Sequence, residues 1–265
     1  MIVRYESNGS IVMITQNDHA QLSGLFAAHW GNRSFEKPRP YIALVRAAMF
    51  HDRGWIRYET GPQLNFATGK TPNYREVPND QAQLAAFQWA SDWMSSIDAY
   101  ASLLIAKHRT GLWQGRYGTM THPPAIQRVK LSPDIETFIA HSEAKQRTAA
   151  EKIDPGELAI NYHLLQVWDL MSLYICSAEV LSPDRIAPVP LSYSDAARVG
   201  MTLTPLQAAT IAIDPYPFDL PLLTANVIFR RLEQVQFEDS AELQAAYFKT
   251  APQIASFRLV PSAAR

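Results

Sequence analysis

The chain has a single cysteine, Cys176, among its 265 residues. That count excludes an internal disulfide and any cysteine-built zinc or iron–sulfur centre, and it fits a reducing compartment. Charge is sparse too. Only 18% of residues are Asp, Glu, Lys or Arg, and 24 basic against 25 acidic residues leave a formal net charge of −1. So balanced a surface offers a polyanion no counter-charge, and nucleic-acid binding is not expected. No stretch approaches the roughly 18 consecutive apolar residues of a membrane span, and the opening MIVRYESNGS lacks the apolar region of a secretion signal. The phosphate loops GxxxxGK[ST] and GxGxxG, the zinc-protease HExxH and the serine-hydrolase GxSxG are all missing. What the chain has is apolar side chain, 47% of it, enough for a well-filled core. The expectation is a cytoplasmic globular protein of 29.8 kDa without membrane or nucleic-acid partners.

Periodicity divides the chain. Residues 2–5 and 11–14 are β-type runs joined through Asn8-Gly9, which tolerates the positive φ of a hairpin turn. A helical period starts at Thr15, aligns His19, Leu22, Ser23 and Phe26, and stops at Gly31-Asn32. A second helix runs from Pro38-Arg39-Pro40 to Gly54, with Tyr41, Leu44, Val45, Ala48, Met49 and Asp52 in line. Residues 56–78 read as a long surface loop. Helices resume over 79–108 with a break near Ser95-Ser96, and His108 ends the stripe of Ile97, Tyr100, Ala101 and Leu104. After a loop over 111–124, Ser132-Pro133-Asp134 opens a helix reaching Ala150, and Asp154-Pro155-Gly156-Glu157 opens the longest one, to about Val180. Beyond Pro183, residues 201–204, 210–213, 226–229 and 255–260 read as strands, and Asp239 with Glu242 as the capping box of a short helix. The expected fold class is mainly α (α+β overall): a helical domain with an N-terminal hairpin over 1–182, and a β-rich C-terminal subdomain over 183–265 whose sheet the hairpin is free to join.

The informative residues are polar ones set in apolar stripes. His51 and Asp52 close a helix whose inward face is Leu44, Val45, Ala48 and Met49. Neighbouring helical positions diverge by about 100°, so both lie at the edges of one buried face. Asp169 stands among Leu164, Leu165, Val167, Trp168, Leu170, Met171, Leu173 and Tyr174, where an ionised carboxylate needs a cation or several donors. His19 lies on the inward face of the first helix. Imidazole and carboxylate are ligands of divalent transition metals, and one ion held by His19, His51, Asp52 and Asp169 gives four awkward placements a single cause. Each residue also has an ordinary reading. Asp52 pairs with Arg46, Arg53 or Arg57; His51 is a satisfied core histidine; Asp169 meets Lys107 or Arg109 in a structural ion pair.

Lys107 and Arg109 flank His108 and, with Arg53, are placed to meet a small anionic ligand, or are solvated helix-end charges. Asp18 orients His19 or caps its helix. Tyr162 and Gln166 share the face of Asp169. His29, His122, His141 and His163 have no ligand-like context, Cys176 reads as inert core, and Pro215-Tyr216-Pro217-Phe218 as a rigid corner docking an aromatic pair.

The ordered set His19, His51-Asp52, Asp169 resembles the H…HD…D pattern of the HD-domain superfamily, whose members are helical and mostly metal-dependent phosphohydrolases. Gln16-Asn17-Asp18-His19, Phe50-His51-Asp52-Arg53-Gly54-Trp55, Lys107-His108-Arg109 and Asp214-Pro215-Tyr216-Pro217-Phe218 resemble, over nearly the whole chain, the signature blocks of the bacterial DUF3891 family. The resemblance implies an HD-like helical bundle and a divalent ion (Mn, Fe, Ni, Co, Zn or Mg). His108 resembles the extra histidine of two-metal HD enzymes, while Gly54-Trp55 stands where many of them carry Gly-Lys. The expected activity is metal-dependent hydrolysis of a small phosphoester or nucleotide-like substrate, with Asp52, His108, Lys107 and Arg109 as catalytic candidates. A metal-bound sensor without turnover and a structural protein with a polar core are the alternatives.

Overall fold

Asn8-Gly9 forms the turn its sequence favours: Gly9 sits at φ +84°, and it joins β1 (Ile2–Tyr5) to β2 (Ile11–Ile14). The computed structural model describes residues 1–115, 131–194 and 197–262. Helix α1 (Gln16–His29) follows directly, its first turn closed by Thr15, whose hydroxyl accepts from the Asp18 amide and donates to the Asp18 carboxylate. Helices α2 (Tyr41–Phe50), α3 (Trp55–Tyr58), α4 (Gln81–Ser95), α5 (Ala99–Trp113), α6 (Pro133–Ala150) and α7 (Pro155–Ser177) come next. Asp80, Asp98, Ser132 and Asp154 cap the last four through their side chains. The chain ends in β3 (Asp184–Pro190), β4 (Arg198–Pro205), β5 (Thr210–Asp214), β6 (Leu223–Leu232), α8 (Ser240–Lys249) and β7 (Gln253–Pro261).

All seven strands form one sheet in the order β1-β2-β6-β7-β5-β4-β3, antiparallel except for the β5–β7 pair. The hairpin enters it by pairing β2 with β6, Ile11 facing Leu232. Because side chains alternate across a strand, the hairpin serves two cores. Ile2, Val12 and Ile14 join the main one, whereas Val3, Ile11 and Met13 pack with Leu232, Phe237, Leu243 and Tyr247 beneath α8.

The expectation of a mainly α protein with an HD-like bundle is overturned. Of the described residues, 44% are in helix and 21% in strand, and the seven strands curl into a half-barrel. Helices α1 and α7 do not close a core among helices alone. Phe26, Trp30, Leu165 and Trp168 share theirs with Ile186, Met201, Leu203, Ile213 and Leu259 of the sheet. Strand β3 escaped the sequence reading because Pro188 and Pro190 remove ladder donors. It lies at the sheet edge and shifts register between Ile186 and Val189, two settings where proline is tolerated. The opposite edge, β1, is covered by a loop: the Asn73 side-chain amide donates to the Val3 carbonyl, and the Tyr74 amide to that of Met1.

Smaller differences follow local packing. Helix α2 buries Ala43, Leu44, Ala47 and Ala48 and stops at Phe50, ahead of the expected Gly54. The loop expected over 56–78 begins inside α3, and residues 111–113 still belong to α5. The rest of the loop expected over 111–124, from residue 116 on and including His122, lies outside the described residues. The Pro215–Phe218 corner docks as its sequence suggests. Phe218 packs on Phe26 and Trp30 with ring centroids 5.8 and 6.1 Å apart, and the Gly31 amide donates to the Pro217 carbonyl at 2.9 Å. No described helix is long and apolar enough to cross a membrane.

Candidate metal centre

Four stretches of chain bring five side chains to one place. Helix α1 contributes His19, α5 His108 and α7 Asp169; the turn between α2 and α3 contributes His51 and Asp52. That turn is tight: the Arg53 amide donates to the Phe50 carbonyl and the Trp55 amide to that of Asp52. Gly54 lets it press on α4, since a Cβ there would stand 2.5 Å from the Phe87 ring and 3.0 Å from the Ala86 carbonyl oxygen. Leaving the helix at Phe50 is what lets two consecutive residues aim at a common point.

His19 Nε2 lies 3.0 Å from Asp52 Oδ2 and 3.7 Å from Asp169 Oδ1. His51 Nε2 lies 3.3 Å from Asp169 Oδ1 and 3.6 Å from Asp52 Oδ2, and His108 Nε2 is 3.6 Å from Asp52 Oδ1. Asp52 therefore turns one oxygen towards His19 and His51 and the other towards His108. All five residues are buried, none more than 5% exposed. Two overlapping triads, His19/His51/Asp169 and His51/Asp52/His108, have ligand atoms within 4.8 Å of one another.

The far side of each ring fixes what the near side offers. His51 Nδ1 faces the Ala48 carbonyl at 2.8 Å, and since a carbonyl only accepts, Nδ1 carries the hydrogen. His19 Nδ1 sits 2.8 Å from Ser172 Oγ, whose own hydrogen goes to the Asp169 carbonyl at 2.7 Å, so this ring too donates from Nδ1. In each ring Nε2 is therefore the nitrogen left to face the carboxylates, bare in the neutral form and protonated in the imidazolium. Two buried carboxylates facing these nitrogens need a metal ion or protons between them, and donation from the far nitrogen to a carbonyl or hydroxyl is the arrangement that orients metal-bound histidines. Two carboxylates carry a formal charge of −2, which one divalent ion neutralises.

Without an ion, protons answer the same need. Burial disfavours the His51 imidazolium, but Asp52 and Asp169 outweigh it and raise its pKa to about 9. Burial works against the Asp52 carboxylate as well, yet His51, His108 and His19 hold its pKa well below the ordinary value. Asp169, opposed by burial but held chiefly by His51, falls to about 2. Burial lowers His108, with Asp52 opposing.

The ordinary partners weighed for Asp52 lie elsewhere. Arg46 bonds Asp98, Arg53 bonds Asn17, and Arg57 stacks over Trp89 at 4.1 Å. Lys107 places its ammonium 5.4 Å over the Tyr162 ring. Arg109 is stacked over Phe87 at 3.7 Å and Trp113 at 4.3 Å, with Trp55 at 5.8 Å, and it donates to the side-chain oxygens of Asn79 and Gln83. Burial lowers its pKa to about 9, with Asp52 opposing. Arg109 and His51 both line a cleft between α4, α5 and α6. Asp18 sits in the first turn of α1, where its carboxylate accepts from the hydroxyl of the capping Thr15, and His19 takes its orientation from Ser172. His29 pairs with Asp219 on the surface, His141 is exposed, and His163, lowered by burial and by Arg198 to about 4, lies outside the cluster. Cys176 is fully buried, its thiol pushed up to about 12 by burial, as an inert core residue requires.

Ser172 and Ser23 are the site residues the sequence reading missed. Ser23 Oγ lies 3.1 Å from Ser172 Oγ and 3.3 Å from the Trp168 carbonyl. The signal was present: Ser172 is a hydroxyl one turn beyond Asp169 in an otherwise apolar helix.

A buried histidine–carboxylate cluster on an α+β scaffold is the class of protein defined so far. The chain belongs to the family described as protein of unknown function (DUF3891), whose model matches residues 1–234, a span holding all five cluster residues. No curated protein and no solved structure matches it.

Proposed function

We propose that this protein is a divalent-metal-dependent phosphohydrolase acting on a small anionic phosphoester. The observation that carries the reading is the convergence of two histidine Nε2 atoms, each ring fixed by a bond on its far side, upon two buried carboxylates. Imidazole-rich sets favour Mn, Fe, Co, Ni or Zn over Mg, which demands oxygen ligands. The order of the residues along the chain supports a phosphoester because it resembles that of HD phosphohydrolases. His19, His51, Asp52 and Asp169 hold the ion, and His108 stands beside Asp52 as a further ligand or proton-transfer group.

A divalent ion in such a site polarises a phosphoryl oxygen and acidifies water. The chain supplies the rest. Asp52 orients the attacking water through the oxygen that faces His108, and His108 takes up its proton. Ser172 and the Ala48 carbonyl keep the imidazoles in register. Arg109 and Lys107 stand beside His108 for the charge of the substrate.

Elemental analysis of purified protein should find about one divalent ion per chain. A panel of phosphoesters and nucleotides, with Mn, Fe, Co, Ni, Zn and Mg in turn, should reveal turnover that Asp52→Asn abolishes. A protein without bound metal, whose melting ignores chelators, sinks the reading. The narrowness of the cleft beside His51, with free space of roughly one water molecule, favours a second reading, a metal-bound sensor without turnover. Bound metal with an inactive panel selects it.

A further inference from the structure

Arg109 is in an unusual position for an arginine. Its Nε is buried and has no hydrogen-bond partner among the described residues, and its Nη2 donates to the neutral side-chain oxygens of Asn79 and Gln83. No ion pair with a carboxylate accompanies it among the described residues, and residues 116–130 contain neither Asp nor Glu. The guanidinium is half-buried, touches no carboxylate among the described residues and feels Asp52 only at a distance, so it retains affinity for an anion, and its planar fork suits a phosphate or carboxylate group.

The place where that anion fits is specified by the cleft. His51 lies in its wall with Arg109, joined by Phe87, Ser91, Phe138 and Ser142. An oxyanion at the mouth of the cleft can place one oxygen in the space it offers, between the guanidinium and the wall that His51 shares. The aromatic faces around it are already occupied. Phe87 carries Arg109 on one face and meets Trp55 edge-on at 5.5 Å, while Trp113 carries Arg109 and meets Phe138 at 5.5 Å. Among the described residues the cleft offers no ring that is not already packed on Arg109 or on another ring.

We infer that Arg109 and the cleft between α4, α5 and α6 form an anion subsite that admits a compact oxyanion, a small monophosphate or carboxylate, and rejects nucleotides. This rests on the metal reading for what lies beside His51, but the subsite itself belongs to Arg109 and is tested separately.

Inorganic phosphate is the probe. In wild-type protein, with and without Mn2+, phosphate should slow phenylglyoxal labelling of Arg109, read by peptide mass spectrometry, while labelling of exposed Arg147 is unchanged. By calorimetry, Arg109→Gln should weaken phosphate binding about 10- to 100-fold at unchanged metal content. Arg109→Lys, which keeps the charge and loses the fork, should fall between. Adenosine monophosphate should bind no more tightly than phosphate. Equal labelling with and without phosphate, or equal affinity in folded Arg109→Gln, overturns the subsite; tenfold tighter binding of the nucleotide overturns its selectivity. Metal bound without protection of Arg109 leaves the metal reading standing and removes the subsite. Protection in protein that takes up no metal does the reverse.

Discussion

Returning a divalent ion to metal-free protein should expel a proton, and the affinity should carry that proton's signature. With the ion absent, Asp52 and Asp169 overcome burial and keep the His51 imidazolium protonated up to about pH 9. The ion takes the Nε2 lone pair only once that proton has left. Each unit rise in pH below 9 therefore tightens binding about tenfold, and the dependence flattens above 9. From pH 6.5 to 8.5 this amounts to about 100-fold, or roughly 2.7 kcal/mol. Titrating Mn2+ calorimetrically in buffers of different ionisation enthalpy yields the affinity and the proton count together, and about one proton is expected at pH 7. The same group makes the metal-free fold pH-sensitive. Its folded pKa of about 9 exceeds the ordinary 6.5, so its stabilising contribution is complete below pH 6.5 and disappears as pH rises through 9. The span is worth roughly 3 kcal/mol, and metal-saturated protein should not show it. An affinity flat from pH 6.5 to 8.5, with heats indifferent to the buffer, would refute the placement of His51 among the ligands.

Removing the hydroxyl that steers His19, in Ser172→Ala, should weaken metal binding about 10- to 100-fold while the fold persists; competition with a chelator of known affinity measures it. Asp169→Asn, which keeps shape and removes a charge, should cost more than Ser172→Ala in the same assay. In metal-free protein the Asp169 contribution to stability is present above pH 3.8 and lost as pH falls through about 2, so acid melting of wild type and Asp169→Asn should converge below that pH. Gly24→Ala places a Cβ 2.7 Å from that of Met49. Overpacking of about 1–3 kcal/mol should outweigh the roughly 1 kcal/mol gained in helix propensity, lowering the melting temperature; a higher one would show that α1 and α2 part easily. Trp168→Ala empties the junction of α1, α7 and the sheet and should destabilise by about 3–5 kcal/mol in urea unfolding.

The cluster was legible because burial of a polar group is costly. Asp169 in a helix apolar all round, and His51-Asp52 at the end of an apolar stripe, could each be seen as anomalies without knowing what faced them. What faced them could not be seen. Nothing local ties Ser172 to His19 across more than 150 residues of chain, and the aromatic box of Arg109 draws on three separate helices. The hairpin and most later strands were visible in their β-branched runs and turn residues. Two features hid the sheet's true size: β3 is written in prolines, and the pairing of β2 with β6 is a long-range event that no window of sequence contains. Counting strands without knowing that they join one surface made the protein look more helical than it is.

A curled sheet that does not close into a barrel has two rims, and a bare rim invites strands from other molecules. Here both are sealed. Pro188 and Pro190 blunt one by withholding amide hydrogens, and the loop bearing Asn73 and Tyr74 lies along the other, claiming the carbonyls of Met1 and Val3. Edge-to-edge addition is thereby hindered at either end, which favours assembly through the helical surfaces or the faces of the sheet.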